Sequence, residues 1–277
     1  MKYFKLSICV LLILLISSSC DKSENVPTEP VRSDQIASAY YPGGVNSTFI
    51  YRQDTLSTLQ STFDSVGTRN SVFSNYAVTG GSENITQDNT INISGSTINS
   101  TLNFRRTDAG IYFLIDTVNI ISLLNMLPDS LKDLIEINID SEINVFSTPF
   151  YTGKNYSAFK ATAGSRNLPV DLTLVEVKVN FEGEEEIFVE ALSKNIFSQK
   201  IKYEIILKIP NTLTTNILDF LSAPPTIYNA FGWFVKDVGL VKLEGNSFLI
   251  NALNSGSFQL GDTTGAAREV LTDFDLQ

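Results

Sequence analysis

Histidine is absent from the 277-residue chain, and cysteine occurs only twice, at Cys9 and Cys20. The absence of histidine removes the commonest general base, the commonest zinc ligand and the Ser-His and Cys-His nucleophile pairs. Acidic residues outnumber basic residues by 30 to 20, which gives a formal net charge of −10. Because such a surface repels nucleic acids and anionic lipids, we expect neither as a partner.

The first twenty residues have the pattern of an export signal. Lys2 and Lys5 precede an apolar run from Leu6 to Ile16, and three serines stand directly before Cys20. A basic start, an apolar centre and small residues before a cleavage point are typical of a signal peptide. The apolar run is about half of the ~20 residues that a helix needs to cross a bilayer, so we predict a cleaved signal at residues 1–19.

The end of this signal resembles the lipobox of bacterial lipoproteins, in which lipid is attached to the cysteine thiol and the chain is cut just before it. The resemblance implies a lipidated Cys20. The polar stretch that follows contains two prolines and no periodicity, so we predict a lipidated tether over residues 20–36 and a β-rich domain over residues 37–277. Loss of Cys9 with the signal would leave no disulfide. Two or three acyl chains would hold the protein on a membrane, at about 0.8 kcal/mol per buried CH₂. An ordinary secretory signal is the alternative.

The stretch from Cys20 to Glu24 resembles export signals of Gram-negative groups that display lipoproteins on the cell surface. Asp21 directly after the cysteine instead resembles the inner-membrane retention signal of some enteric bacteria. We expect the outer membrane, and we favour surface display over a periplasmic orientation.

Most of the remaining chain alternates apolar and polar residues with a period of two, which predicts strands with one buried face. The clearest case is an apolar series from Ile201 to Ile209, and residues 135–145 repeat the pattern. A one-residue slip of the apolar phase between Leu172 and Phe181 predicts a β-bulge. Predicted hairpin turns follow at Glu182-Gly183-Glu184, Asp108-Ala109-Gly110, Asp237-Val238-Gly239 and Asn254-Ser255-Gly256. The Ser, Thr and Asn content of residues 82–101 predicts short edge strands or a loop.

Two segments have helical spacing. One is a leucine-rich segment from Ile120 to Leu134, which predicts two short helices with Pro128 opening the second. The other runs from Leu213 to Leu221 and ends before Pro224. The fold class predicted from these patterns is mostly β, a single curved antiparallel sheet or half-barrel with one or two short helical inserts.

Several motifs occur in order along the chain: Tyr40-Tyr41-Pro42, Thr48 to Arg52, Gly110 to Phe113, Pro149 to Gly153 and Phe231 to Lys242. They resemble a broad group of envelope lipoproteins of unknown function, in which an opening tyrosine-proline motif and a closing glycine-containing hairpin bracket a curved antiparallel sheet. That sheet is similar to the half-barrel of periplasmic lipoprotein carriers and of other lipoprotein-sorting factors. The resemblance implies no catalytic residue.

Our first functional hypothesis is a non-enzymatic binding module for a lipid or another hydrophobic small molecule. A curved sheet can enclose an apolar pocket. The candidate ligand-binding residues are Ile120, Leu123, Leu124 and Leu127, acting as a lid, and Trp233, for which core or rim packing is the simpler explanation. The alternative is a surface scaffold that binds protein or glycan through its outer sheet face and has a filled interior.

An enzyme is not expected, because it would need several carboxylates converging in a cleft. The carboxylates from Glu182 to Glu186 form the densest acidic cluster, but they lack the ligand spacing of a calcium loop, and we predict a solvated turn. No metal and no cofactor are predicted.

Overall fold

The computed structural model describes residues 35–57, 61–115, 135–165, 168–208, 224–255 and 265–277. Within these residues, thirteen strands form one open antiparallel sheet, with one α-helix and two 3-10 helices. The strands are β1 (Thr48–Ser57), β2 (Thr62–Thr79), β3 (Ser82–Ile93), β4 (Ser96–Arg106), β5 (Gly110–Leu114), β6 (Ile135–Ile139), β7 (Glu142–Ser147), β8 (Asn155–Ser165), β9 (Leu168–Val189), β10 (Lys194–Leu207), β11 (Thr226–Val235), β12 (Gly239–Asn246) and β13 (Ala266–Asp275). The helices are α1 (Ser247–Ser255) and the 3-10 helices Ala37–Tyr40 and Glu190–Leu192. The predicted mostly-β class with one antiparallel sheet is confirmed.

The order of the strands shows how strongly the sheet is curved. It runs β6-β8-β9-β10-β11-β12-β13-β1-β2-β3-β4-β5-β7, so that β6 and β7, neighbours in the chain, form the two opposite edges. Only Asp140 and Ser141 separate these two strands, and three residue steps span at most about 11 Å. The sheet must therefore curl until its edges come close together, which creates a concave inner face and a convex outer face.

Side chains bridge the seam between the two edges. Lys154 Nζ donates a hydrogen bond to the carbonyl of Ser147 at 2.8 Å, and the Tyr156 hydroxyl lies 3.5 Å from the carbonyl of Asn144. Both carbonyls belong to β7, whose pairing within the described residues is with β5 alone. Side-chain donors thus take the place of a backbone ladder at this seam.

The alternating pattern of β10 gives the expected two faces. Ile201, Tyr203, Ile205 and Leu207 are buried on the concave face, whereas the residues between them are partly exposed. The bulge predicted between Leu172 and Phe181 is confirmed in β9. In the pairing of β8 with β9, Ala161 lies opposite Val175 and Thr162 lies opposite Thr173, so Leu174 between them has no partner.

Two predicted turns are wrong. Strand β9 continues through residues 182–186 to Val189, with a second bulge where Gly183 pairs with Lys200 and Phe181 with Ile201. The chain reverses instead at the 3-10 helix Glu190–Leu192. The second wrong turn lies at Asn254, which belongs to α1. The other two turns are confirmed, and Gly239 adopts the positive φ of 102° that favours glycine.

The two remaining strand predictions also need correction. Residues 135–145 form two strands at opposite edges of the sheet, since the chain changes edge at Asp140-Ser141. Residues 82–101 are neither a loop nor edge strands. They form most of β3 and β4, which are long, fully paired with each other and flanked by further strands.

Helix α1 was not predicted, although its start has a recognisable signal. Asn246 Oδ1 accepts a hydrogen bond from the backbone N–H of Phe248 at 2.9 Å, as an N-cap residue does. Phe248, Leu249, Ile250 and Ala252 are buried inside the curved sheet, where the helix contacts β4, β11, β12 and β13. The two predicted helices, at residues 119–134 and 213–221, lie outside the described residues. No helix among the described residues is long and apolar enough to cross a membrane.

Candidate functional site

The concave side of the sheet encloses a cavity of about 80 Å³, which we call the apolar cavity. Leu253 and Asn254 of α1 lie on one side of it, and Tyr41, Pro42 and Gly239 belong to segments at the opposite end of the sheet. Five phenylalanines contribute to its wall: Phe49, Phe73, Phe104, Phe113 and Phe234. The curvature of the sheet is what brings these residues together, because they come from strands that are distant in sequence.

The aromatic rings around this cavity contact one another. The ring centroids of Phe49 and Phe73 lie 5.3 Å apart, those of Tyr41 and Phe104 lie 5.1 Å apart, and Phe113 joins Phe104 at 5.5 Å. Such spacings are in the favourable range for aromatic pairs, so the wall is held by mutual ring contacts.

Arg69, in the wall of the apolar cavity, forms a buried ion pair with Glu269 behind it. Arg69 is 3% exposed and Glu269 is 1% exposed, and Arg69 Nη2 lies 2.7 Å from Glu269 Oε2. The guanidinium also donates to Ser71 Oγ at 2.6 Å and lies 4.0 Å from the centre of the Tyr51 ring. Both charges are therefore compensated within the protein.

Neutral side chains extend this pair into a network. Gln53 Nε2 and Asn254 Nδ2 donate to Glu269 Oε1 at 2.7 and 2.6 Å. Asn89 Nδ2 donates to the carbonyl of Asn254 at 3.1 Å, which ties the end of α1 to β3. The Tyr41 hydroxyl donates to Gln87 Oε1 at the rim of the apolar cavity. The helix is thus joined to the sheet by polar bonds as well as by its apolar face.

Burial controls the ionisation of the groups in this region. Burial alone would lower the pKa of Arg69, but the carboxylate of Glu269 and the neighbouring Tyr51 outweigh it, and the pKa is raised. Burial raises the pKa of Tyr51 to about 12, and it also raises the pKa of Tyr41. At physiological pH Arg69 therefore stays charged, and Tyr41 and Tyr51 stay neutral.

Tyr203 stands out in the wall of the apolar cavity. Its side chain is buried on β10, and its hydroxyl has no hydrogen-bond partner among the described residues. Burial, followed by the proximity of Tyr156, raises its pKa well above the ordinary value. A buried hydroxyl without a partner costs free energy, roughly 1–3 kcal/mol, which a bound molecule carrying a hydrogen-bonding group can recover.

The residues predicted from the sequence are distributed differently. Cys20 and the four lid residues Ile120, Leu123, Leu124 and Leu127 lie outside the described residues. Trp233 is described, and it does not line the apolar cavity. It pairs in register with Lys200 and Lys242 on the convex face.

Trp233 is only 4% exposed because its neighbours cover it. Lys242 Nζ lies 4.3 Å and Lys200 Nζ 5.1 Å from the indole centre, and the indole N–H donates to Glu185 Oε2 at 3.0 Å. These contacts place the indole in the packed convex surface.

Sequence reasoning missed the polar network because its members look like solvated strand residues. Arg69, Ser71 and Asn89 lie in stretches rich in Ser, Thr and Asn, where no apolar alternation shows which face is buried. Phe73, Ile85 and Ile91 lie on the same inner face as these polar residues, so their positions in the sequence could have indicated which face is buried.

No group of three or more acidic or thiol side chains among the described residues could hold a metal ion. Glu182, Glu184 and Glu186 lie along β9 in extended backbone rather than in a loop.

No family model and no curated protein matches this sequence. Three solved structures are similar to the chain. One, from Parabacteroides distasonis, is described as an inferred lipoprotein, with a TM-score of 0.49 and 11% identity over 87% of this chain and 100% of that chain. An inferred exported protein with a YmcC-like fold from Bacteroides fragilis has a TM-score of 0.46 and 12% identity over 84% of this chain and 97% of that chain.

The third is the hypothetical lipoprotein YmcC from Escherichia coli, with a TM-score of 0.30 and 8% identity over 87% of this chain and 90% of that chain. All three neighbours are thus described as lipoproteins or exported proteins. At TM-scores below 0.5, the likeness supports no conclusion about what this chain does.

Proposed function

We propose that this protein is a lipid-anchored envelope protein that binds a hydrophobic group, without catalysis, in the apolar cavity. The single observation that carries the proposal is the cavity itself, which lies inside the curved sheet and has walls made mainly of Phe, Leu and Tyr side chains. A sheet interior packed without gaps would instead favour the scaffold hypothesis. Ligand sites in proteins are typically apolar concavities with a few polar groups, and Arg69, Gln87 and Asn254 supply those groups here.

The size of the cavity limits what it holds. At about 80 Å³ it is roughly half of a 150 Å³ engineered cavity that binds benzene. The proposed ligand therefore inserts a short apolar group, such as the end of an acyl chain, while the rest of the molecule extends past the partly exposed side chains of Tyr41 and Leu240.

The test is native mass spectrometry of the full chain, extracted from envelopes in a mild detergent that is removed in the gas phase. We expect a bound mass that organic solvent removes. Val145→Phe should abolish that mass, because Val145 lines the apolar cavity and the larger ring fills it. Val78→Phe is the matched control, since Val78 is 63% exposed and lines no described cavity.

Each outcome separates the two functional hypotheses. Loss of the bound mass only in Val145→Phe supports the binding module. Two outcomes reject ligand binding at this cavity and favour a surface scaffold that binds protein or glycan. One is a wild-type chain that carries no added mass, and the other is an equal bound mass in both variants.

The anchor is supported by the signal pattern that ends at Cys20. We expect Cys20→Ser to release the protein from membranes and to remove a mass increment of two or three acyl chains. Fractionation of outer and inner membranes, with protease treatment of whole cells, tests the proposed outer-membrane location and its orientation. An unmodified chain that stays soluble in the wild type would contradict the proposal.

A further inference from the structure

A second cavity is lined by Ser247, Ile250 and Asn251 of α1. It has a volume of about 250 Å³ and shares no lining residue with the apolar cavity. Its floor contains the buried residues Gln53, Asp54, Ile250 and Glu269. Exposed residues at its rim are Thr55, Ser94 and Asn251. We call it the polar cavity.

The charges around the polar cavity are compensated. Asp54 is bound by Arg268 at 2.7 Å and by Arg52 at 2.9 Å, and Glu269 is bound by Arg69. Because each carboxylate in the wall has a guanidinium partner, a charged ligand would have to compete with an existing ion pair. The walls therefore favour an uncharged ligand.

The hydrogen-bonding groups favour a ligand that carries donors. Gln53 is 7% exposed, its Nε2 is used by Glu269, and its Oε1 has no hydrogen-bond partner among the described residues. A buried amide oxygen without a partner accepts a hydrogen bond from a donor that reaches it. The hydroxyls of Thr55 and Ser94 at the rim both donate and accept.

Apolar side chains lie between these polar groups. Val66, Ile93, Ile250 and Ala267 line the same cavity. A ligand that matches this wall must present hydroxyls in some directions and C–H groups in others. Its volume, somewhat below the ~300–1,000 Å³ of pockets for drug-sized ligands, suits a molecule with one ring.

From these observations we propose that the polar cavity binds a neutral polyhydroxylated ring, a single sugar or cyclitol unit. The site is distinct from the apolar cavity, and the proposal does not depend on hydrophobic-ligand binding there. A solvent-filled cavity is the competing explanation, since polar cavities of this size hold several waters.

The test uses methyl glucoside, N-acetylglucosamine and myo-inositol as probes of the full chain in detergent. Saturation-transfer NMR and thermal unfolding are measured at increasing probe concentration. We expect at least one probe to give a saturable rise in Tm, together with saturation transfer to its ring protons.

Thr55→Phe should weaken that binding at least tenfold, because the ring enters the cavity from its rim. Thr90→Phe is the matched control, an exposed threonine on β3 that lines no described cavity, and it should bind as the wild type does. Thr55→Val, which keeps the shape of the side chain, is a second variant that folds without added volume and should weaken binding severalfold.

Three results would overturn the proposal. One is the absence of any saturable response to the three probes. Another is a linear rise of Tm that is equal in all variants, since sugars stabilise proteins generally by exclusion from their surface. The last is saturable binding that Thr55→Phe leaves unchanged.

Discussion

The concave face of the sheet is built from two kinds of chemistry. Strands β9, β10 and β11, the aliphatic half, bury Val, Ile, Phe, Leu and Tyr side chains. Strands β13, β1, β2 and β3, the polar half, bury Arg69, Glu269, Gln53, Ser71 and Asn89 beside their apolar residues. One half is stabilised by removing apolar area from water and the other also requires a complete hydrogen-bond network, so the two halves should respond differently to substitution.

The largest expected effect comes from breaking the polar half. Glu269→Gln should lower the free energy of unfolding by about 3–5 kcal/mol, because it leaves the charge of Arg69 buried without its partner. Urea unfolding measures this loss.

A paired replacement sharpens this test. In Arg69→Met combined with Glu269→Gln, neither charge remains, and the amide still accepts hydrogen bonds from Gln53 and Asn254. The double variant should therefore be more stable than Glu269→Gln alone. A double variant that is less stable would show that the charge of Arg69 is not the cause of the loss.

The aliphatic half should fail through loss of packing. Ile205→Ala removes a side chain that is 1% exposed and should cost about 2–5 kcal/mol of unfolding free energy. Ile227, on the neighbouring strand β11, is 49% exposed, and Ile227→Ala should change stability within about 0.5 kcal/mol. Equal losses in the two variants, measured by urea unfolding, would contradict the assigned faces.

A smaller effect is expected from pH. The pKa of Tyr51 in the polar half is raised to about 12, above the value of about 10 in an unfolded chain, so stability should fall as pH rises from 10 towards 12. Desolvation lowers the pKa of Lys154 at the seam to about 8, whereas the pKa in an unfolded chain is about 10.4. The folded protein therefore releases this proton first, and its stability should increase as pH rises from 8 to about 10.4. Tyr51→Phe should reduce the loss of stability between pH 10 and 12. Lys154→Met should reduce the gain of stability between pH 8 and about 10.4. Unchanged profiles in thermal unfolding would reject these assignments.

The smallest expected effect lies on the convex face behind the aliphatic half. Trp233→Phe removes the hydrogen bond from the indole to Glu185 and should cost about 1 kcal/mol, because Glu185 is partly exposed and water replaces the donor. Glu185→Gln keeps an acceptor and should cost less. A loss in Trp233→Phe as large as that in Ile205→Ala would mean that the indole contributes to the core.

Prediction from sequence succeeded where the buried face of a strand is apolar. The alternation around Ile205, the phase slip at Leu174 and the glycine turn at Gly239 are local signals, and each determined its own structure. The continuation of β9 past Gly183 was not predicted, because a glutamate-rich glycine segment has the composition of a turn. Pairing with β10 on one side keeps it extended.

By itself, the sequence determined the all-β class, the single antiparallel sheet and the local geometry of its best strands, because hydrophobic alternation and turn chemistry act over a few residues. Only the tertiary structure decided that β6 and β7 lie at opposite edges, that α1 packs inside the curved sheet and that Arg69 meets Glu269 across 200 residues of chain. These features depend on curvature and on contacts between distant strands, which no local pattern encodes. The two cavities, and with them the candidate sites, exist only as a consequence of that curvature.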